Sequence, residues 1–309
     1  MNTVAHIQQL SGNFFFIQGP DQGRFPFSNS FLIDGSPRVL IDAGAGEAII
    51  RELDKEKRID VLLITHSHPD HILAAHVLND RHLMLPNETP DSVHDLFELG
   101  KRFTGTDQGA CYWKNRMVEG YGFHPLKQPD SRFSHGDSLE FGPVRLEAVH
   151  TPGHLADHYG FYENQARILL TTDIDFTGFG PWFGHAEADL ERILADVNHF
   201  RNLASGACFM CSSHREPASS GFNRLFDDYL AAFKSHENKI IDLCTGGAAI
   251  DELVRQSPFY GNRFPDRYLQ TIYEKVLIEK TLDRLIRSGT LAVENGVYSR
   301  QTEDIHANH

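Results

Sequence analysis

One stretch constrains this chain more than any other: Thr65-His66-Ser67-His68-Pro69-Asp70-His71, which follows the apolar run Val61-Leu62-Leu63-Ile64 without a break. The run is short, uncharged and partly β-branched, so it reads as a buried strand. Period-2 alternation sends His66 and His68 to one side while the backbone is still extended. Pro69 stops the strand, and Asp70 and His71 open a helical pattern continued by Ile72, Leu73, Ala75, His76 and Leu78. One imidazole pair then faces one point, and a carboxylate with a third imidazole faces a point a few ångströms on. That arrangement suits two cations better than one. The plain alternative, a histidine-rich surface turn, does not account for ligands placed at the end of a buried strand.

An HxHxDH pattern after an apolar strand resembles the signature of the metallo-β-lactamase superfamily. The resemblance implies an α/β fold, an αββα sandwich, and further ligands downstream. Asp42, at the end of the strand Arg38–Ile41, matches an aspartate that supports the metal site from behind its ligands. His154 lies in the loop His150-Thr151-Pro152-Gly153-His154-Leu155-Ala156-Asp157-His158 and matches the histidine completing the first ion's set. Asp173 ends Ile168-Leu169-Leu170-Thr171-Thr172 and matches the bridging aspartate; a carboxylate has two oxygens to share between cations. His214, after the strand Ala207–Cys211, matches the last ligand. The implied sets are His66, His68 and His154 for one ion and Asp70, His71 and His214 for the other, with Asp173 shared. The GHxxDH loop also resembles a thioesterase-containing subgroup, and the resemblance as a whole covers about residues 10–236.

Imidazole and carboxylate donors suit zinc, and also iron or manganese. The set contains no thiolate, unlike a closed structural zinc site, and two shared ions with room for water imply catalysis. The expected function is a binuclear-metal-dependent hydrolase, in which a metal-bridging hydroxide attacks a carbonyl substrate such as a thioester, ester or lactone. Asp70, His158 and Tyr159 are the candidate catalytic proton carriers. Phosphodiesterase or nuclease activity is the alternative. An iron-dependent oxidoreductase and a non-catalytic effector-binding protein rank lower, because His68 stands where diiron members carry glutamate and because the ligand set is complete.

Of the 309 residues, 42 are acidic and 29 are Lys or Arg, for a net charge of −13. That balance makes nucleic acid an unlikely partner, since phosphate binding is driven by basic side chains. A small molecule is the expected substrate. No apolar run approaches the roughly 18 residues needed to cross a membrane, and the N-terminal stretch lacks the pattern of a signal peptide, so a cytoplasmic location is expected. Cys208 and Cys211 form CxxC, but residues three apart on a strand face opposite ways and read as core.

The chain divides into an expected metallo-β-lactamase-like domain over residues 1–240 and a small, mostly helical winged-helix-like domain over 241–309. The second rests on helices at Ile250–Gln256 and Leu269–Arg287 followed by an Asn295-Gly296 hairpin. A winged helix suggests DNA binding. Residues 245–301, however, hold eight Lys and Arg against seven Asp and Glu, too weak a basic footprint for that role. Packing, homo-oligomer formation or a substrate wall is the expected duty. Residues 90–125 form either an extra helical layer or a lid, with a helix over Ser92–Phe103. The glycine-broken loop Phe176–Phe183 brings Phe179 and Trp182 forward as pocket lining, and His185 follows it.

Overall fold

The computed structural model describes residues 6–261 and 263–301. Seven strands form the first sheet in sequence order: β1 (Ile7–Ser11), β2 (Phe14–Ile17), β3 (Ser30–Ile33), β4 (Val39–Ile41), β5 (Val61–Leu63), β6 (His82–Pro86) and β7 (Ser131–Phe133). The second sheet runs from β8 (Ser138–Phe141) through β9 (Val144–His150), β10 (Tyr159–Glu163), β11 (Ile168–Thr172) and β12 (Phe209–Ser212) to β13 (Arg215–Ala218).

Both faces of the central strands are buried, and alternation along them divides the apolar side chains between the two faces. On β3 to β5, Phe31, Ile33, Val39, Ile41, Val61 and Leu63 point into the core between the sheets, where they meet Leu146, Phe161 and Leu170. Their neighbours Leu32, Leu40 and Leu62 face the other way, beneath a helical layer. That layer comprises α1 (Glu47–Glu56), α2 (Leu96–Thr104) and α3 (Asp107–Tyr121). Leu169 and Met210 of the second sheet face α4 (Leu190–Ala204) and α5 (Phe222–Leu243). The result is the αββα sandwich that the sequence implies.

Residues beyond α5 add a strand β14 (Ala248–Ala249), helices α6 (Ile250–Gln256) and α7 (Arg267–Arg287), and the hairpin β15 (Leu291–Glu294) and β16 (Val297–Arg300). The two helices and the hairpin follow the expected order, and strand β14 ahead of them was not expected. The expected boundary at residue 240 falls inside α5, which runs on to Leu243. α7 also joins both outer layers: Leu269 and Tyr273 pack with the helices over the first sheet, and Leu277, Ile278 and Leu282 with those over the second. The C-terminal segment therefore shares its core with the sandwich. Cys211 is buried and Cys208 lies beside Arg167, both as free thiols. Among the described residues no helix is long and apolar enough to cross a membrane.

Parallel pairing aligns the strands that carry the ligand loops. β4 pairs parallel with β5, and β11 with β12, so the turns after Ile41, Leu63, Thr172 and Ser212 emerge at the same edge of the sandwich. The two sheets are tied together there, because Tyr159 N–H donates to the Thr65 carbonyl at 3.1 Å and Asn29 N–H to the Ser213 carbonyl at 2.7 Å. Gly44 is needed at this edge. A Cβ on it would stand 1.8 Å from Ser28 Oγ and 2.3 Å from the carbonyl oxygen of Asp70.

Candidate metal centre

The loops at that edge bring all seven expected ligands together in two groups of four, which share Asp173. In the first, His66 Nε2 and His154 Nε2 stand 3.0 and 2.9 Å from His68 Nδ1. Asp173 Oδ2 lies 3.4, 3.7 and 3.3 Å from the nitrogens of His66, His68 and His154. In the second, Asp173 Oδ1 is 2.8 Å from His71 Nε2 and 3.6 Å from His214 Nε2, which is itself 3.2 Å from Asp70 Oδ2. Four donors around one ion at 2.0–2.1 Å stand about 3.4 Å apart, so both groups have the spacing of a tetrahedral ligand shell. Three imidazole nitrogens converging within 3.0 Å in neighbouring pairs also present lone pairs that cannot all be satisfied by hydrogen bonds among themselves.

The opposite ring nitrogens are occupied, which fixes the inward faces of the rings. His71 Nδ1–H donates to Asp42 Oδ2 at 2.7 Å, and His154 Nδ1–H to the Trp182 carbonyl at 3.0 Å. His214 Nδ1–H donates to the carbonyl of Gly23. His66 Nδ1 lies 3.1 Å from Thr65 Oγ1, whose hydroxyl donates to Asp42 at 2.8 Å. Asp42 also accepts the backbone N–H of Thr65 at 2.8 Å. This buried carboxylate thus organises two of the ligand rings at once.

Burial pushes His66 well below the ordinary imidazole value and His68 down to about 4, leaving neutral rings of the kind that bind cations. Burial acts the same way on His71 and His214, but Asp173, with Asp42 beside one and Asp70 beside the other, outweighs it and holds both well above that value. Burial would raise Asp173, yet the imidazoles of His71, His66 and His214 draw it well below the carboxylate range. A cation entering this site displaces protons from His71 and His214.

Two expected catalytic residues stand elsewhere. His158 is fully buried; its Nδ1–H donates to the Thr151 carbonyl at 3.0 Å, its Nε2 accepts from Asp173 N–H at 3.2 Å, and Thr172 Oγ1 lies 2.7 Å from the same nitrogen. It braces Asp173 from behind and does not line the cavity. That brace meets a strained backbone, for the β-branched Thr172 is held at a φ of 47°. Tyr159 lies between the sheets, and its hydroxyl donates to Glu88 Oε2 at 2.9 Å, away from the ligands. His158 ends the ligand loop just before β10, whereas Tyr159 opens that strand and points between the sheets, and neither side chain lines the pocket. Asp70, Phe179, Trp182 and His185 do line it, with His185 Nδ1 3.1 Å from His68 Nε2.

The structure adds a clamp that the sequence does not announce. Arg102 of α2 donates through Nη1 to Ser67 Oγ, and through Nε and Nη2 to the carboxylate of Glu187. Its Nη2 also lies 3.4 Å from Asp157 Oδ1. One guanidinium therefore holds the His66–His68 turn, the His154 loop and the segment after His185. An arginine beside an apolar helical stripe carries no local signal of such a role.

Five of the seven expected ligands, His68, Asp70, His154, Asp173 and His214, line the floor of a cavity of about 810 Å³, toward the upper end of the range for small-molecule sites. A family model for the metallo-beta-lactamase superfamily matches residues 23–197. The chain belongs to the metallo-beta-lactamase superfamily. Among curated proteins it is similar to the atrochrysone carboxyl ACP thioesterase of Passalora fulva, 24% identical over 217 residues, covering 66% of this chain and 54% of that protein. It is also similar to the hydroxyacylglutathione hydrolase GloC of Haemophilus influenzae, 28% identical over 181 residues, covering 53% of this chain and 73% of that one. The chain spans 63% of an uncharacterized Aquifex aeolicus relative and 54% of the thioesterase, so it matches each over part of its length. A solved metallo-beta-lactamase family protein from Thermus thermophilus shares the fold with a TM-score of 0.72 at 20% identity, covering 95% of this chain and 100% of the other.

Proposed function

We propose that this chain is a binuclear-metal-dependent hydrolase that cleaves a carbonyl substrate, a thioester, ester or lactone. The observation that carries the reading is the pair of four-donor clusters sharing Asp173 on the floor of a cavity large enough for a small molecule. The thioesterase and the hydroxyacylglutathione hydrolase named among its relatives support the carbonyl class. His66, His68 and His154 would hold one ion, Asp70, His71 and His214 the other, and Asp173 both. Zinc is the proposed metal, with iron and manganese compatible with the same donors.

Two such ions would supply a Lewis acid for the carbonyl oxygen and would lower the pKa of bound water toward ~7. The chain's own residues do the rest. Asp42, Thr65, Gly23 and the Trp182 carbonyl fix the ligand rings, and His158 fixes the backbone of Asp173. Hydrolysis joins the water oxygen to the carbonyl carbon, breaks the bond to the departing sulfur or oxygen, and returns a proton to it. Asp70 is the carboxylate on the cavity floor suited to carry that proton. The segment after residue 240 contributes Tyr260, Phe264 and Tyr273 to the cavity, which favours a substrate wall over a nucleic-acid surface as its duty.

Elemental analysis of the purified protein, followed by turnover assays with thioesters, lactones, β-lactams and phosphodiesters, tests the proposal. Two ions per chain and cleavage of a carbonyl substrate are expected. Turnover confined to the phosphodiester would refute the carbonyl assignment.

A further inference from the structure

The cavity lining holds two unlike groups. Arg24, Arg215 and Glu216, exposed, and the half-buried Gln18 form a polar flank near His214. The other group is a wall of rings drawn from four separate parts of the chain. Phe103 and Trp113 come from α2 and α3, and Phe179 and Trp182 from the loop after Asp173. Tyr260, Phe264 and Tyr273 come from the C-terminal segment, and Phe25 from the loop after β2.

These rings run without a gap from the ligands to the mouth. Phe103 stands 5.6 Å from His68 and 5.7 Å from Trp113. Trp182 is 5.5 Å from His68 and 5.8 Å from Tyr273. Phe264 is 6.1 Å from Tyr273 and 6.4 Å from Phe25, which is 42% exposed at the rim. The spacings lie within the range of favourable edge-to-face and offset contacts, so the wall presents ring faces and edges already in place. Trp182 Nε1 donates to the Tyr260 hydroxyl at 2.6 Å, which ties the ligand-bearing side to the C-terminal segment. A flexible aliphatic chain loses rotational freedom when ordered on such a surface, whereas a planar ring loses little.

We propose that the substrate's acyl half carries an aromatic ring, which lies on this wall while the departing half extends along the polar flank of Arg24 and Arg215. This rests on the carbonyl-hydrolase reading and adds the class of acyl group. Water still adds to the carbonyl carbon, and the departing thiol or alcohol still takes up the proton. The wall determines which acyl group is brought to the ions.

The test uses metal-loaded protein and thioesters of one thiol, N-acetylcysteamine, carrying acetyl, octanoyl or 2-naphthylacetyl groups, whose carbonyls are all unconjugated. In parallel, binding of 2-naphthylacetate and of acetate is measured by calorimetry. The naphthylacetyl thioester should exceed the acetyl one in kcat/KM by at least about tenfold, and should also exceed the octanoyl one. Phe264→Ala, checked for two ions per chain, should cut the naphthylacetyl-to-acetyl ratio by about tenfold, mainly through KM. Equal or better turnover of the acetyl or octanoyl thioester, or an unchanged ratio in Phe264→Ala, overturns the proposal. Tight binding of naphthylacetate that Phe264→Ala weakens, with no thioester cleaved, upholds the aromatic site and removes the thioesterase reading instead.

Discussion

The floor and the wall of this one cavity are built in opposite ways. The floor is made of short-range pattern: each ligand sits within a few residues of a strand end, and parallel pairing brings those ends to one edge. The wall is made of long-range packing, with rings separated by more than 200 residues, Phe25 and Phe264 among them, meeting across the cavity mouth. The floor is interlocked by buried hydrogen bonds, so a change there is felt by several ligands together. The wall is a set of apolar contacts, in which one ring is removed with a graded effect. Reaction type and substrate choice are thus held by different kinds of interaction.

Substitutions that separate the two should differ in size and kind. Asp173→Ala removes a donor from both clusters and should abolish turnover, with metal analysis finding fewer than two ions per chain. A variant that kept both ions and full activity would contradict the shared-carboxylate geometry. Asp42→Ala leaves every proposed ligand in place but frees His71 and Thr65, and a loss of about 10–100-fold in metal affinity or activity is expected. Chelator competition at matched pH reads it out. Arg102→Leu leaves the buried Asp157 and the half-buried Glu187 without their guanidinium partner, and should lower stability to denaturant by about 2 kcal/mol.

Lower pH should weaken metal binding. Asp173, with Asp42 beside one and Asp70 beside the other, favours the protonated forms of His71 and His214, so an ion competes with those protons and affinity should fall as pH is lowered. Tyr159→Phe should have the smallest effect: about 1 kcal/mol of stability from the lost bond to Glu88, and unchanged kcat. A large loss of kcat in that variant would restore Tyr159 to the site.

The floor was legible in the sequence because its code is local. Strand β5 is expected at 61–64 and found at Val61–Leu63, and the ligand turns follow from it directly. The directions of His158 and Tyr159 were not legible, since they depend on how the loop before β10 and the second sheet pack against the first. Helix α3 escaped notice because its glycines and scattered aromatics break the apolar stripe; Thr106 caps it by accepting from Gly109 N–H at 3.0 Å. The expected helix over Ser92–Phe103 is instead a short turn at Asp91–His94 followed by α2, which starts where the Asp95 side chain accepts from Phe97 and Glu98 N–H. Strand β1 is an edge strand with three exposed residues in succession, so it offers no alternation to read. The part played by α7 in the wall becomes visible only once the C-terminal segment is seen packed on both outer layers.

The central claim is that one carboxylate joins two ions on the cavity floor. Anomalous diffraction from crystals of metal-loaded protein, collected at the zinc and iron edges, tests it most directly. Two peaks per chain, one within His66, His68 and His154 and the other within Asp70, His71 and His214, with an oxygen of Asp173 on each, are expected. A single ion, or ions bound away from Asp173, would contradict the account.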